Sequence, residues 1–222
     1  MLIKIQDSKI LGFTLIELLV VLTISSILFI ALTAVFTANI LHYQKVLNTN
    51  RLNQQLEFVM QLMTNDIRRA GYSANASNDI GTNLNTNPFV AAATDISVNA
   101  ANNCILFTYD HAKSGTLPAI AAGADDDRYG FQLSGNAIQA RPPGATFVCA
   151  ATDWENVTDT NVISITALSF TLNTSTVTTG PGAQGIKMRS VDISVTGQLA
   201  SDATVTKTLT HHVRIRNDKF IP

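Results

Sequence analysis

One carboxylate stands where the physical cost of a charge is high. Glu17 opens a run, Leu18 to Gln44, that contains no Asp, Glu, Lys or Arg, and this run exceeds the roughly 20 apolar residues that cross about 30 Å of hydrocarbon. A carboxylate inside such a segment costs about 2.5 to 3.5 kcal/mol on insertion scales, so it marks function and requires a partner that neutralises it. Thr14-x-x-Glu17 is also the spacing of a capping box, in which Thr14 accepts from an early helical N–H and Glu17 reaches back to the cap. The two roles are compatible.

Other reactive side chains are sparse. Cys104 and Cys149 are the two cysteines; without a C-x-x-C they fit a single disulfide better than a metal site, with two buried free thiols as the alternative. Closing so long a loop contributes about 4 kcal/mol in the chain-entropy account. His42 falls near the end of the apolar run, His111 in a loop, and His211 and His212 are neighbours on an expected strand, where their side chains point to opposite faces. Asp125-Asp126-Asp127 offers oxygen ligands but lacks the spaced acidic pattern of a dedicated calcium loop, so a solvated loop is expected. His212, Arg214 and Arg216 share one face of the last strand, and three such residues are too few to argue for nucleic acid. No catalytic constellation and no cofactor is expected.

The elements that position these residues follow from patterning. Lys4 and Lys9 in the first dozen residues place the N-terminus on the cytoplasmic side and the bulk of the chain outside. No Ala-x-Ala follows the apolar run, so it reads as a retained anchor rather than a cleaved secretory signal. Beyond Leu41 the helix turns amphipathic: Leu52, Leu56, Val59 or Met60, Met63, Ile67 and Ala70 recur at steps of three and four, opposite Gln54, Glu57, Gln61 and Asn65. Gly71 is placed to end the helix in a left-handed turn.

At Gly12-Phe13-Thr14-Leu15-Ile16-Glu17 the sequence resembles the type IV pilin-like superfamily, whose leader ends in Gly before Phe-Thr-Leu-Ile-Glu and an apolar helix. The resemblance implies that an inner-membrane prepilin peptidase cuts between Gly12 and Phe13 and methylates the Phe13 amine, and that Glu17 pairs with the N-terminal amine of a neighbouring subunit. Leu11 stands where many members of that superfamily carry Lys or Arg. The helix end Asp66-Ile67-Arg68-Arg69-Ala70-Gly71-Tyr72 looks like that of PilW-type minor pilins and, more loosely, J-type pseudopilins of type II secretion. Val213-Arg214-Ile215-Arg216-Asn217 is similar to the closing strand of the same group, and the anchor lacks the Pro common in major pilins.

What the resemblance implies is a non-enzymatic subunit, first in the inner membrane and then in a pilus near its tip. It would join other minor pilins, the major pilin, the assembly platform and a tip adhesin, and support twitching, adhesion or DNA uptake. A J-type pseudopilin is the alternative, and a membrane-anchored periplasmic enzyme or ligand-binding module is the alternative of another class.

The organisation expected is a leader over residues 1–12, a membrane and assembly helix over 13–44, its amphipathic half over 45–72, and a β-rich periplasmic domain over 73–222, giving an α+β pilin-like fold. A net charge of -1 gives no basic field to gather nucleic acid. A polar connection runs from Ser73 to Asn87. Strands are then expected at Cys104 to Tyr109, around Tyr129 to Leu133, at Ala137 to Ala140 and at Phe147 to Ala150, as an antiparallel meander. Three more follow, at Val162 to Leu172, Ile186 to Val195 and Val205 to Ile215. In the first two of these the apolar phase shifts midway, which predicts a bulge or break in each.

Overall fold

Alternating and helical periodicities divide the chain much as observed in the computed structural model, which describes residues 12–79, 87–121, 124–178 and 185–221. Residues 1–11 of the expected leader, and residues 80–86 of the polar connection, lie outside the described residues. Two compact units are present, one up to Asn48 and one from Thr49 onward.

Helix α1 spans Leu15–Ile67, with no Gly or Pro to interrupt its 53 residues. Within the second unit Leu52, Leu56, Val59, Met60, Met63 and Ile67 form its buried stripe, the same residues that recur at helical spacing in the sequence. The α-helix ends three residues short of the expected Ala70. The N–H groups of Arg69 and Ala70 turn to Asp66 O (2.9 Å) and Ile67 O (3.1 Å), tightening the last turn into i→i−3 bonds. Gly71 then takes φ +77, and a Cβ there would sit 2.8 Å from Val90 Cγ1, so both conformation and space require glycine.

The strands are β1 Ser97–Val98, β2 Cys104–Thr108, β3 Arg128–Ser134, β4 Ala137–Ala140, β5 Glu155–Asn156, β6 Ile163–Thr178, β7 Gly185–Leu199, β8 Thr206–Arg214 and β9 Lys219–Ile221. The first five form an antiparallel meander in sequence order. In the second sheet β7 is central: β6 pairs along one edge, while β8 and then β9 share the other. The two sheets are joined where the N–H of Ile165 reaches Asn136 O (2.9 Å) and that of Phe170 reaches Asn102 O (2.7 Å). One core unites the helix stripe with Ile105, Phe107, Phe131 and Ile138 of the first sheet and Ile163, Phe170, Val191, Ile193 and Val213 of the second. The architecture is α+β and pilin-like, a long N-terminal apolar helix with antiparallel sheets.

Three expectations need correction. Phe147 to Ala150 forms no strand. Pro142 and Pro143 just before it cannot donate to a ladder, and the Arg141 guanidinium takes the Ala145 carbonyl, so the segment turns instead. In β6 the phase shift is a bulge between Ile165 and Ala167, but β7 pairs with β6 without interruption from Gly185 to Thr196. Its change of phase has another cause: Arg189 occupies the core-side position in step with Val191 and Ile193, and is 3% exposed, while Ile186 lies on the exposed side. Finally, Asp125-Asp126-Asp127 is not a simple solvated loop, because Asp126 and Asp127 are buried.

Candidate functional site

A helix that begins with free N–H groups in an apolar stretch must satisfy them locally, and the segment from Gly12 does so with its own side chains. Glu17 N–H donates to Thr14 Oγ1 (3.3 Å), and Thr14 N–H and O–H donate to Glu17 Oε2 (3.2 and 3.1 Å). The capping box expected from the spacing is therefore formed. Glu17 Oε1 has no bond to another described residue, which leaves half the carboxylate for an outside partner.

From Leu15 to Val46 the apolar side chains of α1 are exposed, and Phe13 just before it is 85% exposed. Fully burying one such side chain is worth about 1.5 to 3 kcal/mol, so a row of them demands lipid or the apolar helices of neighbours. Leu15–Ile67 is long and apolar enough to cross a membrane.

Cys104, the first residue of β2, is bonded to Cys149 of the turning segment after β4, with S–S 2.02 Å and Cα–Cα 5.9 Å. Leu106, Trp154, Phe147 and Ala151 pack around the bridge as a small second cluster. The histidines do not converge. His42 is exposed on α1, His111 Nδ1 lies 3.1 Å from Asp125 and 3.2 Å from the Tyr129 hydroxyl, and His212 Nδ1 lies 2.6 Å from Asp192 Oδ1. That contact, with a bond from Asn173, holds the Asp192 carboxyl below its ordinary range. No three His, Cys, Asp or Glu side chains form a metal-binding group among the described residues.

Two buried ionic groups have no counterpart in the sequence reading. Arg141 grips Asp126 with two bonds, 2.8 and 2.5 Å, with both side chains essentially inaccessible. Burial alone would raise the Asp126 carboxyl, but the bonds and charge of Arg141 outweigh it and hold that group low. Arg189 pairs with Asp95, which also accepts from Lys219 Nζ (2.9 Å), and donates to Asn217 O (2.7 Å). For Arg189 the available signal was its core-phase position on a strand, where an arginine is buried only if paired.

An exposed apolar helix with one carboxylate at its start, ahead of antiparallel sheets stapled by a disulfide, defines the type IV pilin-like class. Residues 7–33 match the prokaryotic N-terminal methylation motif. Residues 45–215, more than half of the chain, match the family model described as prepilin peptidase-dependent protein B, and the chain belongs to that family as a type IV pilin-like minor pilin. No match was found among curated proteins or among solved structures.

Proposed function

We propose that this chain is a PilW-like minor pilin, cut by prepilin peptidase between Gly12 and Phe13, N-methylated on Phe13 and held in the inner membrane by residues 13–44 until it enters a pilus. The carrying observation is the lone Glu17 at the head of an exposed apolar helix. Its free carboxylate oxygen suits the amine of Phe13 on a neighbouring subunit, an ion pair that would offset the cost of a charge in hydrocarbon. Lys4 and Lys9 favour a cytoplasmic N-terminus and a periplasmic domain, a compartment in which the disulfide persists. In this reading the protein is a non-enzymatic subunit that works with other minor pilins, the major pilin and the assembly platform to prime the filament and stays near its tip. Twitching, adhesion and DNA uptake then depend on it indirectly.

The test is to express Glu17→Ala in cells lacking the native copy and to measure membrane level, processing by intact mass and surface pili together. Normal level and processing with few pili is the expected result. Full piliation would reduce Glu17 to a capping residue, and retention of Met1 in wild-type protein would overturn the processing step.

A further inference from the structure

Cations brought together from distant parts of a chain repel one another unless something anionic lies between them. In the second unit, the turn that ends α1, the loop after β2 and the segment after β8 enclose a cleft of about 330 Å³ that carries Arg68, Lys113 and Arg216, with the Tyr72 ring on its wall. None of these three cationic side chains has a hydrogen bond or ion pair with another described residue. Arg69, the fourth cation, is already engaged: it lies 3.9 Å from Asp66 and 5.7 Å over the Tyr109 ring. The negative end of α1 explains a cation at Arg68. It does not explain Lys113 and Arg216, which other segments deliver.

The backbone holds this convergence in place. Arg216 N–H donates to Arg68 O (3.1 Å), Gly71 N–H to Thr108 O (2.8 Å) and Asp110 N–H to Tyr72 O (3.0 Å). Asp110 is the one carboxylate in the cleft, yet its charge is turned inward. It is 2% exposed, and it accepts from the N–H groups of Ala74, Ser114 and Gly115, each at 2.9 Å. It therefore shapes the loop that carries Lys113 rather than neutralising the cations.

We propose that this cleft seats the carboxylate of an acidic segment of a partner protein, held by Arg68, Arg216 and Lys113 beside the Tyr72 ring. Guanidinium groups form strong paired bonds to carboxylates, and a tyrosine wall suits the apolar part of a peptide. Nucleic acid fits less well, because it requires a basic stripe along its backbone and open ring faces for its bases. Here the cations are confined to one cleft, and Tyr109 is stacked on Tyr129 at 4.1 Å with the Arg69 guanidinium 5.7 Å over its ring, so beside Tyr72 there is no row of open ring faces among the cleft's lining residues. The partner's being another pilus subunit rests on the function proposed above; the anionic chemistry of the cleft does not.

The experiment uses the detergent-extracted full chain and a fluorescein-labelled oligo-glutamate peptide read by anisotropy, with oligo-thymidine and inorganic phosphate as competitors. Arg68→Gln, Arg216→Gln and Lys113→Gln are each expected to weaken peptide binding about tenfold, the size of one charge-assisted contact. Lys207→Gln, at the far end of β8, should leave binding unchanged, and so should Glu17→Ala, so the cleft and the assembly role are read apart. All three cleft residues are at least partly solvent-accessible, and Lys113 belongs to a loop, so a fold defect in one variant does not remove the others. Peptide binding that is absent, that falls equally in Lys207→Gln, or that is weaker than binding of oligo-thymidine or phosphate would overturn the proposal.

Discussion

The side-chain amide of Asn217 donates to the main-chain carbonyls of both Arg69 and Ala70, each at 3.1 Å. A residue near the C-terminus thus caps the turn that ends the N-terminal helix, adding to the bond that the Arg69 carbonyl already accepts from Tyr72 N–H (3.0 Å) and supplying a donor to that of Ala70. Two stretches singled out by motif, Asp66 to Tyr72 and Val213 to Asn217, are in this way one structural unit.

Asn217→Ala should cost about 1 to 2 kcal/mol, the net worth of two modest hydrogen bonds to backbone. Chemical denaturation followed by circular dichroism would show it as a lower midpoint at unchanged slope. An unaltered midpoint would mean that water serves these carbonyls equally well.

The bridge between Cys104 and Cys149 closes a loop with a sequence separation of 45. Replacing both cysteines by serine is expected to lower stability by about 3 to 4 kcal/mol, chiefly by freeing the unfolded chain. Urea unfolding of the wild type with and without reductant gives the same comparison, and equal midpoints would refute it.

Arg141→Met strands the Asp126 carboxylate in the interior, and breaking a buried pair in this way costs about 3 to 5 kcal/mol. The double change Asp126→Leu with Arg141→Met removes both charges and should recover much of that loss. Because Arg141 holds the folded-state Asp126 low despite burial, its contribution is full above the unfolded carboxylate range, about 3.9, and fades as pH falls through the lower folded value. A double variant as unstable as the single one would contradict this account.

Asp127 shows the opposite sign. Burial raises its carboxyl, only partly countered by the bond from His111 N–H, and its Oδ2 is buried without a partner. With the folded value above the unfolded one, the charged form opposes folding at neutral pH and the penalty shrinks as pH falls toward about 3.9. Asp127→Asn should therefore raise the Tm at pH 7 and lose that advantage at acid pH. Scanning calorimetry at the two pH values decides it, and a lower Tm for the variant at pH 7 would count against the prediction.

The N-terminal half of the biology is written in local pattern. An uninterrupted apolar run, a charge at its head and a box at i, i+3 are properties of adjacent residues, so Gly12 to Ile67 could be read as a motif, a span and an amphipathic stripe without coordinates. The stripe from Leu52 to Ile67 is buried as its spacing required. Strand positions were legible where apolar residues alternated, as in Cys104 to Thr108, or where a turn announced them, as Gly135-Asn136 did for Ala137 to Ala140. Phe147 to Ala150 misled because its apolar content serves the disulfide cluster, not a ladder. Only the tertiary structure could decide which charges are buried and which converge. Arg141 with Asp126 and Arg189 with Asp95 each join residues remote in sequence, and so do Arg68, Lys113 and Arg216. A charge becomes tolerable inside, or conspicuous outside, through neighbours that the fold supplies, and no periodicity of 2 or about 3.6 carries that information.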